Sequence, residues 1–281
     1  MTLSTADHDR AAAGMTYVYP VVSRRAGGVS IGINLNVNNA CNWRCLYCQV
    51  PDLARGGPPA IDLARLEAEL RQMLADILHG DFMAREVPED MRRLSDIALS
   101  GNGEPTSAAE FPAVVDLIGR LIGEFGLAGR IKVVLISNGS LMHRPAVQAG
   151  LRRLAGVGGE VWFKLDRATP DGLRLINQTD TTPAKVLRNL GICAALCPTW
   201  IQTCVFSLDG EPPPEAEVAA YLDLLRQALA DGLALRGVLI YGLARPSMQP
   251  EAARLGRLPS AWLNDLASRI GRLGLSALSF P

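Results

Sequence analysis

The sequence predicts an α/β protein whose parallel strands curl into a partial (β/α)6 TIM-like barrel. Three observations predict it. Six strand-like segments alternate with amphipathic helical ones, without a change of pattern along 281 residues. Such an order builds a parallel sheet with right-handed crossovers. The strands end in Gly, Asn, Asp or Pro, and the unusual motifs all follow strand ends, where parallel barrels gather their chemistry. An open doubly wound sheet is the competing arrangement.

The strand segments are VSIGINLNV (29–37), DIALSGNG (96–103), IKVVLISNG (131–139), EVWFKLD (160–166), WIQTCVFSL (200–208) and LRGVLIYGL (235–243). Each is short and rich in β-branched residues. Between them, residues 61–78 place Leu63, Leu66, Leu70, Met73, Leu74 and Ile77 at helical spacing, with Asp62 as N-cap. Pro112 opens a second helix in its first turn. Further helices are expected near 145–155, 182–195, 214–229 and 260–272. The charged stretch 81–96 joins a helix to a strand and belongs on the rim opposite the motifs. Residues 1–16 read as a loosely attached N-terminus, and 17–281 as one domain.

Hydrophobic residues make up 48% of the chain, enough for a packed core. Basic and acidic residues balance at 28 each, against a broad nucleic-acid-binding surface. Only Lys132, Lys164 and Lys185 are lysines, so nearly all positive charge is arginine. No signal-peptide pattern and no long apolar run is present, so a cytoplasmic protein without membrane association is expected. In that compartment the six cysteines are more naturally ligands or core residues than disulfides.

CNWRCLYC (41–48) places Cys41, Cys45 and Cys48 in the loop after the first of these strands. Three thiols at one strand mouth would not all face a core. A structural zinc wants a fourth ligand, for which only His79 and His143 are candidates. An iron–sulfur cluster takes thiolates directly, and three of them leave one iron of a four-iron cube open.

The C-x3-C-x2-C spacing with Tyr47 before the last cysteine resembles the radical S-adenosylmethionine (SAM) superfamily. The resemblance implies one 4Fe–4S cluster on Cys41, Cys45 and Cys48. It also implies SAM bound at the open iron, and hydrogen abstraction by a 5′-deoxyadenosyl radical. No cysteine precedes Cys41, so a single cluster is expected. Residues 17–35, 164–180, 200–206 and 240–247 look like the wyosine-type branch, which implies an RNA nucleobase or nucleotide as substrate. A peptide or protein substrate is the alternative. A non-catalytic iron–sulfur or zinc protein is the alternative of another class. A flavodoxin or ferredoxin is the expected electron donor.

Gly101, Asn102, Gly103 and Glu104 resemble the superfamily's Gly-Gly-Glu segment, with Glu104 as acceptor for the SAM ammonium; a plain turn is the other reading. Ser137 and Asn138 suit ribose hydroxyls or a carboxylate, or simply turn the chain. Tyr47 and Tyr241 join this cofactor-binding set. Lys164 and Asp166, two apart on a strand, share a face. They form either a catalytic cation–anion pair or a structural one, and Lys164 alone can form a Schiff base with a carbonyl. Arg167, Arg174, Arg245, Arg254, Arg257 and Asn177 stand on rim loops as an anion clamp or a solvated edge. Cys193, Cys197 and Cys204 read as small buried hydrophobes, with an auxiliary cluster as the other reading.

Overall fold

The computed structural model describes residue 3, residues 14–23 and residues 27–281. The expected loose N-terminus lies largely outside the described residues.

An eight-stranded sheet forms the frame. Its strands are β1 (Val18–Ser23), β2 (Gly28–Ile33), β3 (Leu94–Leu99), β4 (Lys132–Ser137), β5 (Glu160–Lys164), β6 (Thr199–Cys204), β7 (Leu235–Tyr241) and β8 (Ala277–Phe280). They lie side by side in chain order. All neighbours are parallel except β1, which is antiparallel to β2. The sheet curls into a half-barrel, the partial (β/α)6 architecture with a strand added at each edge.

The two edge strands differ from expectation. β1 contains Pro20, which lacks an N–H donor and fits only an edge or bulge. β1 is tied down by Glu69, whose carboxylate accepts the backbone N–H groups of Thr16 at 2.9 Å, Tyr17 at 2.7 Å and Val18 at 3.3 Å. β8 is four residues long and pairs with β7.

Seven α-helices of five residues or more pack around this frame among the described residues: α1 (Leu63–His79), α2 (Phe82–Glu86), α3 (Phe111–Glu124), α4 (Pro145–Gly156), α5 (Pro183–Leu196), α6 (Glu215–Ala230) and α7 (Ser260–Gly271). The Asp62 side chain caps α1, accepting the Arg65 N–H at 3.0 Å, an arrangement worth about 1 kcal/mol. The charged 81–96 connector folds partly, as α2 with Phe82 buried.

The two-residue period of the strands decides where the site lies. On β2, Val29, Ile31 and Ile33 join the main core, as do Ile97 and Leu99 on β3 and Val161 and Phe163 on β5. The alternate residues line the concave side: Ser30, Asp96, Ala98, Val134, Trp162, Lys164 and Gln202. One face therefore supplies a hydrophobic core and the other a cavity.

Candidate functional site

The concave side holds an open cavity of about 310 Å³. Of the site residues expected from sequence, it is lined by Cys41, Cys45, Tyr47, Cys48, Gly101, Asn102, Gly103, Glu104, Asn138, Lys164 and Tyr241. Ser137 and Asp166 do not line it.

The thiol loop is fastened on every side. Its ends are pinned where Ala40 and Cys41 pair with Ala54 and Arg55. On one flank, Leu46 N–H donates to Ile176 O at 2.9 Å. On the other, Met248 N–H donates to Cys48 O at 2.9 Å, and Ser247 Oγ to Leu46 O at 2.6 Å. Asparagines bind it to the neighbouring rim loops. Asn36 Nδ2 donates to Ala40 O at 2.8 Å, Asn102 Nδ2 to Asn39 Oδ1 at 2.6 Å, and Asn138 Nδ2 to Asn42 Oδ1 at 2.8 Å. This lattice was not foreseen, although the run of Asn34, Asn36, Asn38, Asn39 and Asn42 is its visible signature.

All three thiols are partly exposed to the one cavity. Trp43 N–H donates to Cys41 Sγ at 3.5 Å, and Asn177 Nδ2 to Cys45 Sγ at 3.3 Å. Burial pushes the Cys41 thiol up to about 11 and the Cys45 thiol up to about 12. Unmetallated, they are neutral; a metal must displace their protons to bind. Among the described residues, no three His, Cys, Asp or Glu side chains are grouped as for a single metal ion. Three thiols on one cavity wall fit a cluster with several irons, each taking one sulfur, and the two N–H donors to sulfur are of the kind that tunes such clusters.

Gly101 to Glu104 crosses the cavity beside this loop. A Cβ on Gly103 would lie 2.1 Å from Ala40 O and 2.6 Å from the Asn36 amide, both parts of the thiol-loop frame. Gly101 has φ +144°, and a Cβ there would press on Asn34. Gly103→Ala is therefore expected to push the thiol loop outward. The measurement is iron bound per chain after anaerobic reconstitution, which should fall several-fold, with a lower melting temperature. Retention of full iron loading would remove the close approach as the reason for this glycine.

Glu104, expected as an ammonium acceptor, is also engaged by the chain itself. Its Oε1 accepts from Thr106 N–H at 3.1 Å, Thr106 Oγ1 at 2.6 Å and Ser137 Oγ at 2.7 Å, while Oε2 accepts from Asn138 N–H at 2.7 Å. Burial pushes its carboxyl up, against those hydrogen bonds. Most of its capacity fastens the ends of β3 and β4 together, and Oε2 keeps room for a further donor. Ser137 is part of that fastening.

Lys164 and Asp166 do not form a pair. β5 ends at Lys164, so the alternation that would put both on one face has ceased. Asp166 turns away from the cavity and is buried. It accepts from Tyr47 Oη at 2.5 Å, Asn177 Nδ2 at 2.7 Å and Cys204 N–H at 2.9 Å. Lys164 Nζ donates to Tyr241 Oη at 2.6 Å and lies 4.9 Å from the centre of the Tyr47 ring. Burial opposes its charge, but Tyr241 and Asp166 outweigh it and hold the ammonium protonated. That suits a binding cation rather than a Schiff-base nucleophile, which needs a lowered value.

The arginines form no clamp. Arg254 pairs with Asp209 at 2.7 Å, Arg174 with Asp171 at 2.8 Å, and Arg167 is buried against the Asp166 carbonyl and the Phe206 ring. Arg257 donates to Ala244 O at 3.0 Å. Arg245 alone of the set lines the cavity. Cys193 and Cys197 sit in the main core, and Cys204 in a smaller apolar cluster with Leu46, Tyr47 and Phe206.

A parallel half-barrel with three thiols on its first rim loop, above a cavity large enough for a nucleoside, defines an iron–sulfur enzyme of the SAM-dependent class. Residues 35–225 match the Radical SAM superfamily, more than half of the chain, and the protein belongs to that superfamily. It is an enzyme whose cofactors are a 4Fe–4S cluster and SAM. A "UPF0026 protein" of Helicobacter pylori (strain ATCC 700392 / 26695) is 32% identical over 135 residues, covering 47% of this chain and 38% of that protein. GTP 3′,8-cyclase 3 of Mycobacterium bovis is 28% identical over 174 residues, 61% of this chain and 39% of that one. The chain thus aligns with well under two thirds of the length of these curated relatives. Among solved structures, TYW1 with a lysine–pyruvate adduct has a TM-score of 0.57 at 15% identity, covering 96% of this chain and 79% of that one. A radical SAM methyltransferase from Sphaerobacter thermophilus has 0.60 at 17%, covering 94% and 68%. These structures share the fold. No helix among the described residues is long and apolar enough to cross a membrane.

Proposed function

We propose that the enzyme cleaves SAM reductively and uses the resulting radical to abstract hydrogen from a nucleotide or an RNA nucleobase. The observation that carries this reading is the set of three partly exposed thiols, Cys41, Cys45 and Cys48, on the wall of one cavity. They hold the cluster, which when bound supplies one electron to the SAM sulfonium, releasing methionine and a 5′-deoxyadenosyl radical. The chain's own residues bind and orient. The free acceptor position on Glu104 Oε2 receives the SAM ammonium. The Gly101–Gly103 backbone lets the ligand approach closely. Asn138 keeps the thiol loop in register through Asn42, and Tyr47 and Tyr241 flank the reacting space.

Two observations support a nucleotide. The chain has only 4 Trp, 5 Tyr and 6 Phe, yet the cavity gathers Tyr19, Trp43, Tyr47, Trp162, Tyr241 and Phe280. Flat apolar side chains of this kind stack on bases. A relative of 28% identity is named for action on GTP. A low-potential flavodoxin or ferredoxin is the donor we assign, in the cytoplasm, where thiols stay reduced.

The test is anaerobic incubation of reconstituted enzyme with SAM, dithionite and deuterated candidates: GTP, an RNA transcript and a peptide. Expected are 5′-deoxyadenosine and its deuteration from GTP or RNA. Deuterium arriving from the peptide alone would overturn the nucleotide assignment, and absence of 5′-deoxyadenosine would overturn the chemistry.

A further inference from the structure

Gln202 is a polar residue in an apolar place. It lies on β6, is 1% exposed and lines the cavity. Its Nε2 is buried without a hydrogen-bond partner. A buried donor left unmatched costs free energy, so it calls for an acceptor. The sheet supplies none on either side. The register partners of Gln202 are Lys164 on β5 and Leu239 on β7. A lysine offers donors only, and a leucine nothing polar.

The surroundings select the kind of acceptor. The charged residues lining the cavity are Lys164, Arg245, Asp96 and Glu104, two of each sign. A neutral acceptor keeps that balance. Trp162 lies one inward position below Lys164 and lines the same cavity. Its Nε1 donates to Glu160 Oε1 at 2.9 Å, which fixes the ring. With Ala98, Val134 and Leu239 it forms an apolar cluster. Gln202 thus stands at the border of an apolar floor, one inward position further from the thiol rim than Cys204. Flat rings are held in such places by stacking on the floor and by hydrogen bonds at one edge.

We propose that Gln202 reads the edge of the substrate base, its Nε2 donating to a ring carbonyl, so that the enzyme takes a keto base over its amino counterpart. This rests on the nucleotide reading above and adds which bases are accepted. A keto oxygen has two lone pairs and is neutral. A base amino group in the same place would meet the donors of Gln202 and Lys164 and offer them no acceptor.

The test compares two pairs of ribonucleotides, GMP with its 2,6-diaminopurine counterpart and UMP with CMP. Each is titrated calorimetrically into reconstituted enzyme holding SAM. In the tighter-binding pair the keto member should win about tenfold, one good hydrogen bond. Gln202→Leu should shrink that preference to less than about twofold. Gln202→Glu, similar in size but acceptor-only when ionised, should reverse it. Iron per chain and SAM affinity, measured on both variants, should stay within about twofold of wild type. Equal binding of keto and amino members by wild type, or an undiminished preference in Gln202→Leu, would overturn the assignment. A loss of SAM affinity as large as the loss of keto preference would reassign Gln202 to SAM and equally end the proposal. Deuterium transfer from GTP or RNA into 5′-deoxyadenosine tests the nucleotide reading separately. If it occurs and the pairs bind alike, only the role of Gln202 falls.

Discussion

Cys45→Ala is expected to leave a folded protein without cluster absorbance and without 5′-deoxyadenosine formation. Cys45 is the middle thiol of the three, and its sulfur is the one that Asn177 Nδ2 reaches at 3.3 Å. Each iron of a cube needs its own ligand, and removing one of three leaves two irons without a protein sulfur. The fold should persist, because the thiol loop is held by backbone and asparagine hydrogen bonds independent of the metal. Those bonds include Leu46 to Ile176 and Met248 to Cys48. The checks are the visible spectrum, iron per chain and product by mass spectrometry. Cys204→Ala serves as the contrast. Cys204 contacts Tyr47 and Phe206 in a small apolar cluster, and its loss should cost on the order of 1 kcal/mol of packing while cluster loading stays. A Cys45→Ala protein that still split SAM would refute the ligand assignment.

Asp166→Ala is expected to be the most destabilising single change near the site. Three buried donors lose their acceptor at once: Tyr47 Oη, Asn177 Nδ2 and Cys204 N–H. At about 1 kcal/mol or more for each stranded donor, the loss is about 3 kcal/mol. For a chain of this size that lowers the melting temperature by roughly 6–12 °C. Cluster loading should fall as well, because Tyr47 lies between Cys45 and Cys48, and Asn177 donates to Cys45. Asp166→Asn keeps an acceptor oxygen but turns an amide toward one of the donors, so its loss should be smaller. Denaturant midpoints and iron stoichiometry of both variants decide the matter. If Asp166→Ala kept wild-type stability and iron loading, Asp166 would have no positioning role.

The half-barrel was legible because it rests on local signals. The Asp62 cap, Pro112 in the first turn of α3 and the alternation of β-branched strands with amphipathic helices all report on nearby residues. The thiol loop was legible because its spacing is itself local. What escaped depends on contacts far apart in sequence. Tyr47 and Asp166 are 119 residues apart, Ser247 and Leu46 201. Neither could be inferred from a pattern along the chain. Glu104 was read correctly as a rim residue. Its saturation by Thr106, Ser137 and Asn138 follows from how β3 and β4 meet. Lys164 and Asp166 seemed to share a face because strand alternation was extended past the strand's last residue. β1 was hidden by Pro20, which argues against a central strand and is compatible with an edge. Gln202 carried no signal, since one polar residue in an apolar strand shows its meaning only when its neighbour across the sheet is known.

The central claim is that Cys41, Cys45 and Cys48 hold a cluster with one position left for SAM. Electron paramagnetic resonance of the reduced, reconstituted protein, recorded before and after adding SAM, tests it most directly. A reduced 4Fe–4S signal, near four irons per chain, whose shape changes when SAM binds, is the expected result. A colourless protein, or a cluster signal indifferent to SAM, would contradict it.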